Sequence, residues 1–320
     1  MRTIRLTNGG ASPALIETES FQPGPGRDDL LIRVSAAGVT PTELGWYPTT
    51  HLLSGKPRVA AVPCHEFSGV VESVGDEVGH LEIGQEVYGM NDWFAEGALA
   101  DFCVAPFSAV APKPASLSHV EAASVPIGAL TAWQGLFDHA HLRRGERVLI
   151  HGAAGGVGIY AVQLAHRHGA HVTATASAHN LEFVSGLGAD QVIDYRARRF
   201  EDVVRSVDVV FDTVGGDTLA RSWEILHPLG RLVTIFSGGG ADADHRVKQA
   251  FFIVEPNQKQ LSQVAGLIDG GELIAVVDTV VPWSRAADAF TGAIARTGRG
   301  KVVIAVDAAS QPQSVRTARG

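Results

Sequence analysis

Apolar positions follow two different patterns along this chain, and the change falls near residue 119. Before it, short runs such as Leu30-Leu31-Ile32-Arg33-Val34-Ser35, Gly69-Val70-Val71-Glu72-Ser73-Val74 and Ala100-Asp101-Phe102-Cys103-Val104 read as strands. They are separated by Pro23-Gly24-Pro25-Gly26, Gly75-Asp76 and Gly84-Gln85, which are turn signals. This part predicts a β-rich, partly open barrel. After it, residues 118–135 read as helix and 147–151 as a buried strand. A glycine-rich turn follows. The run 157–168 then carries apolar residues at Val157, Tyr160, Ala161, Leu164 and Ala165, the spacing of one helix face, with Gly169 as its stop. The alternation repeats, with strands over 171–176, 191–195, 207–212 and 231–236 and helices over 180–187, 200–205 and 218–226. A sixth strand is expected over 251–255. Apolar strands alternating with helices predict an α/β fold with a doubly wound parallel sheet. The tail returns to strands over 273–281 and 302–306 around a helix over 284–295, and is expected to rejoin the first part. The polar end over 308–320 is expected to fray. The division is therefore 1–118 with 271–320, and 119–270.

Composition narrows the class. The chain has 320 residues, 45% hydrophobic and 19% charged, enough apolar material for a sizeable core. A net charge of −8 argues against nucleic acid as a partner. No run of about 18 apolar residues predicts a membrane helix, and Met1-Arg2-Thr3-Ile4-Arg5-Leu6 opens without an export signal. The two cysteines, Cys64 and Cys103, exclude a disulfide framework and a four-cysteine zinc lobe. A cytoplasmic setting is expected. The scattered histidines His139, His141, His166, His168 and His171 form no zinc signature, and Cys103 reads as a small core residue.

The turn His151-Gly152-Ala153-Ala154-Gly155-Gly156-Val157-Gly158 lies between a strand and a helix. A dinucleotide pyrophosphate must approach backbone N–H groups at such a helix start, where side chains would block it. In the G-x-G-x-x-G/A fingerprint, Ala153 stands at the first glycine position, and Gly155 and Gly158 fit the second and third. The alternative is a tight turn in an α/β domain without cofactor. NAD sites carry an acidic residue about 20 residues further on. Here the second strand leads into Ser177, Ala178, His179 and Asn180, with no carboxylate to repel a 2′-phosphate. That favours NADPH, although Ser177 is also a fitting cap for the next helix.

Five stretches together resemble the medium-chain dehydrogenase/reductase superfamily, and within it the zinc-free, quinone-oxidoreductase-like branch. They are Ala37-Gly38-Val39-Thr40-Pro41-Thr42-Glu43, Pro63-Cys64-His65-Glu66-Phe67-Ser68-Gly69-Val70-Val71, Ala153-Ala154-Gly155-Gly156-Val157-Gly158, Leu187-Gly188-Ala189-Asp190 with Ile193-Asp194-Tyr195, and Gly300-Lys301-Val302-Val303. The resemblance implies a GroES-like substrate domain around a Rossmann domain, with the active site in the cleft between them. It also implies a homodimer that pairs the last Rossmann strand, expected at 251–255. Zinc-dependent relatives carry Cys where Thr40 stands and another ligand near Ile127; only His65, beside Glu66, remains of that set. Catalytic zinc needs three protein ligands. Adjacent strand residues also face opposite ways, which separates Cys64 from His65. No metal is therefore expected, and His65 is read either as a hydrogen-bonding active-site residue or as a structural one. Quinone oxidoreductases often carry Asn at Thr40, Asp at Glu43, and a longer segment before the pair matching Tyr47-Pro48. Many carry a Lys near Asn180, a cofactor-binding position where Asn cannot supply that charge, so the 2′-phosphate is assigned here to Ser177 and Tyr195, with Arg196 or Arg198 nearby.

Without metal, hydride chemistry belongs to the nicotinamide. A quinone or enone suits it best, because the charge that develops is held by a few hydrogen bonds. Candidate donors are Thr40, Thr42, Tyr47 and His65, with Trp46 and Phe252 as pocket wall and Glu43 as a structural anchor. By the resemblance, Thr131 touches the nicotinamide and Ala154, Gly155, Gly156 and Val157 hold the pyrophosphate. Val214 lies near the adenosine half, Phe236 and Ser237 flank the cofactor, and Val254 brings backbone near the carboxamide. The Gly-rich loop over 238–244 is a candidate lid. The leading reading is an NADPH-dependent, zinc-independent reductase of a small-molecule quinone or activated alkene. The rivals are a specialised enoyl reductase and an NADPH-binding protein without turnover.

Overall fold

The computed structural model describes residues 1–7, 14–238, 244–307 and 310. The core of the candidate lid and most of the expected frayed end lie outside these residues. Fourteen strands form three sheets among the described residues. They are β1 (Arg2–Thr7), β2 (Ala14–Glu19), β3 (Asp29–Val39), β4 (Glu66–Val74), β5 (Glu86–Met90), β6 (Phe102–Pro106), β7 (Val110–Pro112), β8 (Arg147–Ile150), β9 (His171–Ala176), β10 (Gln191–Asp194), β11 (Val207–Asp212), β12 (Leu226–Thr234), β13 (Val277–Pro282) and β14 (Lys301–Ala305).

The first lobe is a barrel-like sheet in the order β13-β14-β3-β4-β5-β7, with β6 also paired to β3. The tail does rejoin it: β14 lies antiparallel to β3, matching Val303 with Gly38. Its core holds Leu30, Ile32, Phe67, Val87 and Ile304. The second lobe is a five-stranded parallel sheet in the order β10-β9-β8-β11-β12. Val148, Ile150, Val209 and Phe211 are buried in its strands, as expected when helices cover both faces. The strand order reverses between β8 and β11, the crevice where open α/β sheets bind ligands. No helix among the described residues is long and apolar enough to cross a membrane.

Several expected elements come out differently. The single helix over 118–135 is split. Ser118 and Glu121 form a capping box for His119–Ala123, and Pro126 restarts a second helix, Pro126–Trp133. Proline has no N–H and clashes with the carbonyl four residues back, so one continuous helix cannot pass through it. The helix over 200–205 shrinks to a turn, Phe200–Asp202, because Phe200 and Val204 are drawn into the core while Glu201 binds Arg199 and Arg221. The helix over 284–295 becomes two short turns, ended by left-handed Gly292 (φ 75°). The sixth strand over 251–255 is a single bridge, Thr234 to Phe251. Side chains take the backbone that a ladder would need: Trp93 Nε1–H donates to the Val254 carbonyl (2.9 Å), and Gln134 bonds both the N–H and the carbonyl of Glu255. β12 is therefore the outer strand of this sheet.

Candidate active site

The glycine-rich turn leaves β8 at the reversal point. His151 anchors it. Its two ring nitrogens sit 3.1 Å from Thr175 Oγ1 and 3.0 Å from Ser222 Oγ. Burial pushes its pKa down to about 3, so the ring is neutral and structural. The tight turn falls on Gly152 (φ 70°), where a Cβ would lie 2.4 Å from Thr213 Oγ1. The turning glycine is thus one residue before the fingerprint position assigned to Ala153. At Gly158 a Cβ would lie 2.2 Å from the Gly152 carbonyl oxygen, so only glycine lets the helix start pack on the turn. At Gly155 a Cβ would meet just the Gly152 carbonyl, at 3.3 Å, and the residue is exposed. The eleven-residue helix Gly158–His168 thus begins under an open backbone surface. Small, uncharged Ala154, Gly155, Gly156 and Val157 at a helix N-terminus fit a pyrophosphate.

The other sheet ends complete the crevice. Asp212, fully buried, accepts from the N–H groups of Val214 (3.1 Å) and Gly215 (3.0 Å) and from Thr234 Oγ1 (2.7 Å). It thereby fixes the turn after β11 against the end of β12. Val214, Phe236 and Ser237 are exposed there. At the end of β9, Ser177 and Asn180 are buried, and Asn180 Nδ2 lies 3.5 Å from Ser177 Oγ. Tyr195 follows β10, exposed, with Arg196 over its ring.

The candidate donors lie on the first lobe, after the end of β3 and just before β4. Thr40 is half-buried at the end of β3, whereas Thr42 and Tyr47 are exposed, Tyr47 stacked on His51 at 4.4 Å. Glu43 is fully buried and holds the Cys64 N–H through Oε1 (2.8 Å), the anchoring role expected of it. Its Oε2 lies 3.5 Å from His65 Nδ1, and neither His65 ring nitrogen has a hydrogen-bond partner within the chain. His65 is 2% exposed and packs on Trp93 (5.3 Å), which packs on Trp46 (5.1 Å). β4 starts only at Glu66, so strand alternation does not separate Cys64 from His65. Instead Cys64 takes a left-handed backbone (φ 68°), and burial, followed by the Glu43 charge, pushes its thiol pKa well up.

Two other placements change the expectations. Thr131 is buried on Pro126–Trp133 and gives its hydroxyl proton to the Ile127 carbonyl (2.6 Å), leaving its oxygen free only to accept. Phe252 is 7% exposed and packs against His139 (4.5 Å) and Phe211 (6.3 Å), so it belongs to the sheet's core and not to a substrate wall. Its large ring is drawn under the sheet where Gly135 leaves room.

Four residues that sequence reasoning gave no role converge here. Lys301 Nζ is bonded to Glu66 Oε1, with both side chains buried, and Glu66 Oε2 accepts the Ile127 N–H (2.9 Å). The Lys301 stem lies under Gly156, where a Cβ would be 3.2 Å from its Cε. Burial raises the Glu66 pKa, and the Lys301 charge opposes that rise. Trp93 bridges the lobes through Val254, and Arg299 reaches Asn180. The sequence signal for Lys301 was its place in the Gly300-Lys301 stretch; Trp93 and Arg299 had none.

Comparison with known proteins agrees with this arrangement. Residues 26–115 match the alcohol dehydrogenase GroES-like domain, and residues 187–304 match the zinc-binding dehydrogenase family. The chain is 31% identical to a chloroplastic quinone-oxidoreductase homolog of Spinacia oleracea, over 92% of this chain and 95% of that one. It is 34% identical to a 2-methylene-furan-3-one reductase of Solanum lycopersicum, over 95% and 79%. Among solved structures, the quinone oxidoreductase from Coxiella burnetii superposes with a TM-score of 0.83 at 30% identity, covering 96% of this chain and 99% of that one.

Proposed function

Because the chain belongs to the medium-chain dehydrogenase/reductase superfamily, in its quinone-oxidoreductase-like branch that works with a nicotinamide cofactor, we propose that it is an NADPH-dependent reductase of quinones or activated alkenes that needs no catalytic metal. The two lobes are the GroES-like and Rossmann-type domains of that superfamily. One observation carries the reading: the metal ligands of the zinc-dependent relatives are reduced to a single buried histidine with two unpartnered nitrogens. Among the described residues, no three His, Cys, Asp or Glu side chains group to hold a metal ion. Thr40 stands at one of the other ligand positions and the next falls near Ile127, where residues 124–130 hold no Cys, His, Asp or Glu, so a zinc site is not completed.

Bound NADPH supplies the hydride. The chain's own groups then have to hold and protonate the acceptor oxygen. Protonated on both ring nitrogens, His65 would give one ring proton to that oxygen and recover it from solvent, so that one hydride and one proton together make a two-electron, two-hydrogen reduction. Glu43 Oε2 lies 3.5 Å from Nδ1, and Trp93 with Trp46 makes an aromatic wall beside the ring. His65 is covered in this structure, with Trp93, tied to Val254, packed on it, so an acceptor reaches the ring only if that packing opens. The activated-alkene arm is supported by the similarity to the furanone reductase.

The test follows NADPH and NADH oxidation against quinones, enones and simple aldehydes. Turnover with quinones or enones, faster with NADPH, is expected. Turnover confined to aldehydes, or none with any acceptor despite tight NADPH binding, overturns the reading; the latter result favours a binding role. His65→Gln is expected to lower kcat about tenfold to a hundredfold with the NADPH Kd unchanged. Equal kcat would make His65 structural.

A further inference from the structure

The run 296–301 joins two parts of the site. The buried Asp278 carboxylate clamps it, accepting from Thr297 N–H (2.7 Å), Thr297 Oγ1 (2.9 Å) and Gly298 N–H (3.2 Å). From that clamp Arg299 reaches the turn after β9. Its Nε donates to Asn180 Oδ1 and its Nη2 to the His179 carbonyl, both at 2.8 Å, and its guanidinium lies 4.9 Å from the centre of the Phe183 ring. Gly300 follows in the left-handed region (φ 71°), where a Cβ would lie 2.0 Å from the Val276 carbonyl. Its N–H donates to the Ala154 carbonyl of the glycine-rich turn (2.8 Å). One short run thus sets Arg299 at the end of β9 and Lys301 beneath the glycine-rich turn.

In doubly wound dinucleotide folds, the group at the end of the second strand distinguishes a ribose hydroxyl from a ribose phosphate. We infer that Arg299 is the cation that selects the adenosine 2′-phosphate here, delivered from the chain's last segment and not from the turn after β9. The inference rests on the nicotinamide-cofactor reading above. Its chemistry is specific. A guanidinium is permanently charged and planar, and suited to phosphate. Two hydrogen bonds and a ring already hold this one, so little side-chain freedom remains to be lost on binding. Arg299 occupies Asn180 Oδ1 and so turns that acceptor away from a phosphate, while Asn180 Nδ2 points to Ser177 Oγ and the Gly298 carbonyl, each at 3.5 Å. Glu182 lines the same groove as Arg299 and offsets part of its charge, and Arg196 adds a cation beside Tyr195.

The test measures dissociation constants for NADPH, NADH, adenosine 2′,5′-bisphosphate and ADP by fluorescence or calorimetric titration, so no turnover is needed. The parent protein is expected to bind the two 2′-phosphorylated ligands more tightly than their partners. Arg299→Ala is expected to weaken NADPH and the bisphosphate about tenfold to a hundredfold, and NADH and ADP less than about twofold. Arg299→Gln keeps a donor for Asn180 without the charge and is expected to behave like Ala, whereas Arg299→Lys retains most of the preference. A parent that prefers NADPH with variants that keep that preference overturns the role of Arg299 alone. Equal weakening of all four ligands makes Arg299 a scaffold residue and also overturns it. A parent without preference overturns the NADPH reading and this inference together.

Discussion

Replacing Lys301 by methionine is expected to destabilise the protein by about 3–5 kcal/mol. Lys301 and Glu66 face each other with almost no exposure, and Glu66 Oε2 is also tied to the Ile127 N–H. Methionine keeps the stem that packs under Gly156 but leaves the carboxylate buried without its counter-charge. The cost has a pH signature. Burial raises the Glu66 pKa in the folded chain above its unfolded value, opposed by Lys301. A group of that kind contributes stability at pH values below its unfolded pKa and loses it as pH rises through the folded pKa. Without Lys301 only the Ile127 N–H still opposes the rise, so Glu66 stays protonated and neutral to higher pH. The deficit of Lys301→Met against the parent is therefore expected to be small near about pH 5 and full near about pH 8. Adding Glu66→Gln is expected to recover most of the loss, because it removes the orphaned charge while keeping an acceptor for Ile127. Denaturant melts of the three proteins at both pH values check this. A deficit below about 1 kcal/mol, or one that does not change with pH, contradicts the assignment of an ionised buried pair.

Gly155→Asp is expected to weaken NADPH binding about tenfold to a hundredfold while leaving the fold intact. A carboxylate at this exposed turn meets the phosphates in the field of a helix N-terminus, where negative charge is already the ligand's part. Space is available, since a Cβ there approaches only the Gly152 carbonyl, at 3.3 Å. The melting temperature should stay within about 2 °C of the parent, as for other surface substitutions. The neighbouring positions are poorer probes. Aspartate at Gly156 would be drawn to Lys301, and any side chain at Gly158 strikes backbone at 2.2 Å and 2.6 Å. Calorimetric titration with NADPH reads the result. Unchanged affinity would show that the pyrophosphate does not bind at this turn.

What the sequence determined by itself is local. The strands His171–Ala176 and Val207–Asp212 fall where the apolar runs placed them. The helix Gly158–His168 ends at Gly169 in the left-handed conformation (φ 86°) that glycine allows. Strand alternation, helix spacing and glycine stops are short-range properties, so a parallel sheet, a glycine-rich turn and a β-rich lobe could be read from one chain. The short helices failed where neighbours outweighed propensity, as at 200–205, where core packing of Phe200 and Val204 and the pairs of Glu201 left only a turn. The charged and bridging groups of the site were decided by tertiary structure alone. Lys301 meets Glu66 across 235 positions, Arg299 meets Asn180 across 119, and Trp93 meets Val254 across 161. Such partners follow no period along the sequence. Lys301 and Glu66 meet because β14 and β4 flank β3 in the first lobe's sheet, and the other two pairs exist because two lobes close on one crevice; in each case burying a charge or an indole N–H is tolerable only when a distant segment supplies the group that answers it.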